Sequence, residues 1–232
     1  MTPTKLEPAS QPMHVAMTVA LTIDVVSDIV CPWCFIGKRK LEAALAELAR
    51  TQPALAVTIR WHPFELNPGL PVEGIPRATY LTQKFGGAAR AADVYARVKH
   101  VGETVGIPFR FDRIERQPNT FDGHRLVAWA QLRGDVSALV ERLFAAYFID
   151  GAFIGARDEL VRIAALAGLP ADDVRAMLES DAMTQTVTDE TRESADVGIH
   201  GVPFFIFNGR TAVSGAHDAP TLLEAIEQSR HA

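Results

Sequence analysis

Both cysteines of this 232-residue chain lie in one short motif, Cys31-Pro-Trp-Cys34, at the junction of two different hydrophobic patterns. The segment before it, A-L-T-I-D-V-V-S at 20–27, is short and rich in β-branched residues, which is typical of a buried strand. After the motif, apolar residues recur at helical spacing up to about Arg50, and 57–64 again has a strand pattern. The motif is therefore predicted to lie in a βαβ unit, the context in which a redox pair is credible.

The rest of the chain has a long helical section and then a short return of strand pattern. Helical patterns fill about 76 to 197, and Asn208-Gly209 separates two apolar runs at 202–214, which predicts a hairpin. Pro220 is expected to start a last helix. We therefore predict an α/β fold in which a large all-helical insertion separates a βαβ unit from a ββα unit. The predicted divisions are a flexible tail at 1–17, one domain from 18–75 and 186–232, and an inserted domain at 76–185.

The position of the cysteines at the start of a helix predicts a separate role for each. Unpaired backbone N–H groups and the positive end of the helix dipole stabilise a thiolate there. Cys31 is placed for this, because Pro32 is tolerated in a first turn, where its missing N–H costs nothing. Cys34 lies one turn further along, close enough to attack a mixed disulfide on Cys31. We predict an exposed nucleophile at Cys31 and a resolving thiol at Cys34.

Two other interpretations of the cysteine pair have less support. A structural zinc site needs four ligands, and the sequence has neither a second CxxC nor a closely spaced histidine pair. A composite site with His62, His124 or His200 stays open, although no metal is expected. An inert pair of core cysteines is disfavoured by its placement beside a proline at a helix start. The pattern favours a redox pair.

Composition and charge exclude several classes of function. The formal net charge is −5 and no block of Lys and Arg stands out, which does not fit a nucleic-acid-binding protein. No apolar run is long enough for a membrane-spanning helix. The first residues, M-T-P-T-K-L-E-P, lack the pattern of a secretory signal, so we expect a cytoplasmic protein. In that reducing compartment a CxxC pair is more often catalytic or metal-binding than a structural disulfide.

A proline far from the cysteines strengthens the redox interpretation. Thioredoxin-type folds place a cis-proline opposite the nucleophile, at the start of a strand, and Pro203 in G-V-P-F-F precedes the predicted hairpin. Only about 5% of X–Pro bonds in folded proteins are cis, so a proline alone carries little weight. Combined with the strand–CPWC–helix pattern, it predicts a cis Val202–Pro203 bond and a contribution of Pro203 to the site.

Four motifs together resemble the FrnE-like branch of the DsbA family. They are C-P-W-C-F-I-G-K at 31–38, P-F-E-L-N-P at 63–68, N-T-F-D-G-H-R-L at 119–126 and G-V-P-F-F-I-F-N-G at 201–209. The resemblance covers about 20–230 and implies a thioredoxin fold with an inserted helical domain. It also implies dithiol–disulfide oxidoreductase or isomerase activity. Related 2-hydroxychromene-2-carboxylate isomerases use a serine nucleophile with glutathione, whereas two intact cysteines favour thiol–disulfide exchange.

The chain departs from that family's pattern in two places. Some relatives carry a second cysteine pair near the C-terminus, and this chain has none, so no internal relay is expected. Thioredoxin and DsbA keep a buried acidic residue six positions before the nucleophile, where this chain has Val25. Asp24 and Asp28 lie nearby, and we expect each to be an exposed capping or solvated residue. The sequence leaves open how Cys34 loses its proton.

The residues around the motif also suggest its redox poise and its substrate contacts. Uncharged Trp33 cannot stabilise a thiolate as a basic residue would, which predicts a potential more reducing than the roughly −120 mV of DsbA. The backbone of Val202 can pair with an extended substrate chain. Pro32 and Trp33 offer apolar surface, and His124 is a candidate for lining the cleft.

The expected partners follow from this chemistry. They are a disulfide-bearing protein or small molecule and a thiol reductant, with neither nucleic acid nor membrane involved and the oligomeric state open. No cofactor is expected to be tightly bound, and glutathione is a candidate redox partner. A glutathione-dependent isomerase or transferase and a non-catalytic peptide-binding chaperone stay as alternative functions.

Overall fold

A computed structural model describes residues 20–231 of the chain. The flexible tail predicted at 1–17 lies outside these residues. Within the described part, no helix is both long enough and apolar enough to cross a membrane.

The helices and strands follow the predicted order, and the predicted fold class is confirmed. The strands are β1 (Ala20–Ser27), β2 (Ala56–Pro63), β3 (Ile75–Pro76), β4 (Arg116–Gln117), β5 (Phe204–Phe207) and β6 (Thr211–Ser214). The helices are α1 (Pro32–Thr51), α2 (Arg77–Phe85), α3 (Ala88–Thr104), α4 (Phe121–Gln131), α5 (Ser137–Ala145), α6 (Arg157–Leu166), α7 (Ala171–Glu179), α8 (Thr184–Asp196) and α9 (Ala219–His231). A short 3-10 turn occupies Phe111–Arg113, and a turn of π-helix at Ala146–Asp150 continues α5.

Strands from the two ends of the described chain form one mixed sheet in the order β2-β1-β5-β6. β1 pairs in parallel with β2 and antiparallel with β5, so that Val25 lies between Trp61 on one side and Phe205 on the other. Val25 is 1% exposed and Phe205 is fully buried. A strand paired on both sides is enclosed by the sheet, which explains the apolar, β-branched pattern of β1. The site at its C-terminal end therefore rests on the most buried strand of the fold.

The structure differs from the sequence prediction at two short elements. α2 begins at Arg77, so Pro76, near which the helical pattern was predicted to begin, precedes the helix. Pro76 instead belongs to β3, which pairs antiparallel with β4 in a separate two-stranded sheet. Two-residue strands are too short to show a period-2 pattern, so this pairing has no sequence signal.

The inserted helices are anchored directly behind the cysteine motif. The ring of Phe35, which follows Cys34, stacks on Phe144 with centroids 5.0 Å apart and also contacts Phe109 and Phe148. All four rings are buried in one continuous apolar cluster that includes β1, α1 and the inserted helices. The start of α1 is thus held between the sheet and the insertion. Whether the insertion is a domain of its own, as predicted for 76–185, stays a prediction.

Candidate active site

Cys31 occupies the N-cap position of α1, directly after the loop that leaves β1. Its backbone N–H donates to the Asp28 carbonyl oxygen at 2.9 Å, and its own carbonyl accepts the N–H of Cys34 at 3.0 Å. Pro32 fills the first helical position, as predicted. The Cys31 side chain is only 4% exposed, so the expectation of an exposed nucleophile is wrong for this state. The reason is its orientation, because the thiol points at the neighbouring backbone of Val202.

The segment around Pro203 closes over this thiol. The Val202–Pro203 peptide bond is cis, as predicted. The Cys31 S–H donates to the Val202 carbonyl oxygen at 3.6 Å, and the Pro203 carbonyl accepts the backbone N–H of Gly215 at 2.8 Å. The fold thus brings together two predicted site residues, Cys31 and Pro203, that are far apart in the sequence.

Cys34 lies below Cys31 and is almost completely buried, with 1% of its surface exposed. Burial, together with the neighbouring thiol of Cys31, raises the pKa of Cys34 well above its usual range. The Ser27 hydroxyl and the Asp28 backbone N–H act in the opposite direction and lower that pKa. Because burial prevails, Cys34 is a thiol while Cys31 is reduced, and both cysteines are free thiols here.

Asp28 is fully buried, which contradicts the expectation of an exposed or solvated carboxylate. Its Oδ2 accepts the backbone N–H of Leu66 at 2.8 Å, and its Oδ1 accepts that of Val30 at 3.3 Å. Hydrogen bonds of this kind compensate for the cost of burying a charge. The carboxylate ties the loop before Cys31 to the loop after β2, which fixes the position of the nucleophile.

Asp24 is likewise buried, with 7% exposure, and so also contradicts the expectation. Arg60 donates to its two carboxylate oxygens at 2.7 and 2.9 Å, and His62 Nε2 lies 2.9 Å from Oδ1. Burial alone would raise the pKa of Asp24, but the hydrogen bonds with His62 and Arg60 lower it to about 2. Since Asp24 is committed to these partners on β2, it is not the acid–base group of Cys34.

His124 does not face the open surface and cannot make the predicted direct contact with substrate in this structure. The side chain is 5% exposed and lines a small internal cavity together with Ser27. Its Nε2 lies 3.4 Å from Asp28 Oδ1, outside hydrogen-bonding geometry. His124 therefore belongs to the buried layer beneath the cysteine loop.

Helix α2, one of the inserted helices, forms one side of the site close to Cys31. Burial raises the pKa of Tyr80, and the negative charges of Asp28 and Cys31 add to that effect, while Arg77 opposes it. The Arg77 guanidinium lies 5.0 Å from the Tyr80 ring centroid and donates to the Tyr95 hydroxyl at 2.6 Å. Arg77 is itself buried, so this side of the site carries a buried cation.

The remaining predicted contact residues lie beside the thiol with different exposure. Trp33 is 38% exposed, which makes it one of the large hydrophobic side chains at the surface. Pro32 and Val202 are half-buried. An apolar surface next to a nearly covered thiol suits the docking of a substrate chain, so this placement is compatible with the predicted contacts of Trp33, Pro32 and Val202.

The histidines named for a composite metal site are not assembled into one. Within residues 20–231, no group of three or more His, Cys, Asp and Glu side chains is arranged to hold a metal ion. His200 is exposed in the segment before β5. His62 and His124 instead lie beside carboxylates, those of Asp24 and Asp28.

Ser27 is a site residue that the sequence reasoning missed. It lies on β1 two residues after Val25, so strand alternation places both side chains on the face toward Cys34. A polar residue on an otherwise apolar strand face is a visible signal, since Leu21, Ile23 and Val25 are the other members of that face. That Asp28 and His124 meet beneath the loop has no comparable signal, because they come from distant segments.

A model of the DSBA-like thioredoxin domain matches residues 22–227. A solved structure, a probable DsbA oxidoreductase, SCO1869, from Streptomyces coelicolor, is 33% identical with a TM-score of 0.81, and the match covers 91% of this chain and 90% of that one. The uncharacterized protein YwbO of Bacillus subtilis (strain 168) is 27% identical over 220 residues, 90% of this chain and 96% of that protein.

A more distant solved structure shares the fold. It is the cytosolic disulfide reductase DsbM from Pseudomonas aeruginosa with GSH, which is 20% identical with a TM-score of 0.56. The match covers 90% of this chain and 96% of that one. The predicted resemblance to the DsbA family is confirmed by these findings together.

Proposed function

Because the chain belongs to the DSBA-like thioredoxin domain family, we propose that it is a thiol–disulfide oxidoreductase acting through Cys31 and Cys34. The observation that carries the proposal is the placement of Cys31. It caps the start of α1 and faces the Val202 carbonyl ahead of Pro203, with Cys34 one helical turn below.

The first step is attack of the Cys31 thiolate on a substrate disulfide. The dipole of α1 favours a thiolate at its N-terminal end. At rest the Cys31 S–H donates a hydrogen bond to the Val202 carbonyl oxygen. This hydrogen bond is lost when the thiol is deprotonated. One substrate sulfur departs as a thiolate, and the other forms a mixed disulfide with Cys31.

The second step is attack of Cys34 on the Cys31 sulfur. The second substrate sulfur then leaves, so that the substrate has gained two electrons and the enzyme has become a Cys31–Cys34 disulfide. Part of the rise in the pKa of Cys34 comes from the neighbouring Cys31 thiol and its charge. Formation of the mixed disulfide removes that charge, which lowers the pKa of Cys34 at the stage where its thiolate is needed. All steps run in reverse when the enzyme acts as an oxidant.

We propose a disulfide-bearing protein or small molecule as substrate and glutathione as the thiol reductant, in the cytoplasm. Exposed Trp33 beside the thiol and the backbone of Val202 support binding of an extended chain. The DsbM structure, described as a cytosolic disulfide reductase with GSH, makes a glutathione-linked cycle the first to test.

Trapping of the mixed disulfide tests the proposal directly. A Cys34→Ser variant expressed in the native host should accumulate reducible adducts on Cys31 and lose multiple-turnover activity. Cys31→Ser is the matched control and should accumulate none. A Cys34→Ser variant with full turnover would indicate a one-thiol, glutathione-dependent isomerase or transferase. If Cys31→Ser left every activity intact, a peptide-binding module would replace the enzyme.

Equilibration with glutathione tests the redox poise. The uncharged Trp33 leads us to expect a potential more reducing than the roughly −120 mV of DsbA. Free thiols are counted after equilibration at a series of ratios of reduced to oxidised glutathione. A potential at or above that of DsbA contradicts the argument from Trp33.

A further inference from the structure

Three buried polar atoms surround one small internal cavity beneath the cysteine loop. They are Ser27 Oγ, Trp61 Nε1 and His124 Nε2, and within the described residues none of them makes a hydrogen bond. All three residues line the same cavity of about 20 Å³. Buried polar atoms in folded proteins are almost always bonded to protein or to an ordered water. A cavity of this size holds a single water, which needs two to four polar partners.

The cavity adjoins the resolving cysteine through Ser27. The Ser27 hydroxyl is 5% exposed and lies close enough to Cys34 to lower the pKa of that thiol, although its geometry falls outside that of a hydrogen bond. Val25, two residues earlier on β1, is apolar and 1% exposed. Ser27 is the polar side chain on the same strand face, and its hydroxyl is adjacent both to Cys34 and to the cavity.

His124 lines the same cavity, and its Nε2 is a buried nitrogen that makes no hydrogen bond within the described residues. Asp28 Oδ1 is 3.4 Å from His124 Nε2, and Asp28 is held in place by the backbone N–H groups of Val30 and Leu66. The other titratable groups facing His124 are His62 on β2 and Glu65 in the loop after it.

His62, the other histidine that lines the cavity, is not suited to accept a proton. Burial would lower the pKa of His62, but hydrogen bonds with Asp24 and Glu190 raise it to about 9. Both ring nitrogens are engaged, Nε2 with Asp24 at 2.9 Å and Nδ1 with Glu190 at 3.1 Å. His62 is therefore already a cation near neutral pH and has no free nitrogen.

We propose that a water in this cavity links Ser27 Oγ to His124 Nε2 and that His124 accepts the proton of Cys34. The proposal rests on the function proposed above and applies to its second step. Cys34 passes its proton to the Ser27 oxygen, Ser27 passes its own to the water, and the water delivers one to His124 Nε2. The resulting Cys34 thiolate attacks Cys31, and the electron pair of the broken mixed disulfide leaves on the substrate sulfur. His124 returns the proton by the same path when the reaction reverses.

A coloured-thiol assay separates the two chemical steps. Reduced protein is mixed with an aromatic disulfide, dithiobis-nitrobenzoate, which releases one coloured thiol when Cys31 attacks and a second when Cys34 attacks. The first phase depends on reagent concentration and the second does not. General base catalysis typically contributes at least about 10²-fold, so we expect His124→Gln to slow the second phase by about that factor. The rate of the first phase should be unchanged.

Two further variants define the path. Ser27→Ala should slow the second phase in the same direction as His124→Gln, because it interrupts the link to the water. Ser194→Ala is the matched control, since Ser194 is also a buried serine, 8% exposed, but lies on α8 outside the cavity lining. The dependence of the second phase on pH should change in His124→Gln and stay the same in Ser194→Ala.

The possible outcomes separate this proposal from the one it rests on. If the wild-type protein shows no first phase, the proposed function is refuted. Normal first and second phases in His124→Gln refute only the role of His124. If His124→Gln does not fold, Ser27→Ala and a high-resolution crystal structure of the wild-type protein decide. A water bonded to Ser27 Oγ and His124 Nε2 supports the relay, and a cavity without one overturns it.

Discussion

Helix α1 passes so close to the Pro203 segment that only glycine fits at position 37. A Cβ built on Gly37 would lie 2.8 Å from Pro203 Cγ and 3.1 Å from Phe205 Cζ. Real Cβ atoms essentially never approach another atom within 3.0 Å, so Gly37→Ala requires a displacement. Phe205 is fully buried in the core and has little freedom to move. The Pro203 segment, which carries the Val202 carbonyl 3.6 Å from the Cys31 sulfur, is expected to shift instead.

The expected stability change is a balance of two opposing effects. Alanine is better than glycine in a helix interior by about 1 kcal/mol. Overpacking a filled core costs about 1–3 kcal/mol. The net expectation for Gly37→Ala is therefore a loss of roughly 0–2 kcal/mol in the free energy of unfolding. Without the close contact, the same substitution would be stabilising.

Urea unfolding of two variants separates these effects. Ala43→Gly, at an exposed position of the same helix, measures the helix-propensity effect alone and should cost about 1 kcal/mol. Gly37→Ala should fail to show the opposite gain. Its first phase in the coloured-thiol assay should also be altered, because the Val202 carbonyl moves relative to Cys31. A Gly37→Ala protein stabilised by about 1 kcal/mol with an unchanged first phase refutes the reasoning.

Two further predictions concern stability away from the cysteines. Hydrogen bonds with Asp24 and Glu190 raise the pKa of His62 to about 9. Protonated His62 therefore adds up to roughly 3 kcal/mol to the free energy of unfolding. This contribution is complete below the usual pKa near 6.5 and is lost as the pH rises through about 9. Urea unfolding of His62→Gln and the wild-type protein should therefore differ most near neutral pH and converge in alkaline solution, and a gap independent of pH contradicts this. Gly151→Ala should destabilise by at least about 2 kcal/mol, because Gly151 has φ +77° and its Cβ would lie 2.5 Å from the Arg113 carbonyl oxygen. Thermal unfolding measures this loss, and an unchanged melting temperature would refute it.

Features that depend on neighbouring residues were predictable from the sequence. The strand before Cys31, the helix after it and the hairpin at Asn208-Gly209 occur where local patterns predicted them. Gly86 ends α2 in the left-handed conformation, which glycine adopts without strain. These elements are encoded locally, because hydrophobic period, proline and glycine act over a few residues.

Burial of polar groups was not predictable in the same way. Asp24 and Asp28 were expected at the surface, yet both are buried with partners from other segments. For Asp24 the partners are Arg60 and His62 on β2, and for Asp28 they include the backbone of Leu66. A carboxylate is buried only where distant donors compensate for its desolvation, and a local pattern carries no information on those donors.

The sequence by itself predicted the cysteine pair at a helix start and the cis-proline segment that faces it. The tertiary structure alone decided that Cys31 is covered by the Val202 carbonyl and that Ser27 and His124 line one cavity beneath Cys34. The reason is the range of the interactions involved. Strand and helix patterns reflect contacts between near neighbours in the chain, whereas the environment of a thiol is set by whatever residues the folded sheet and the inserted helices bring against it.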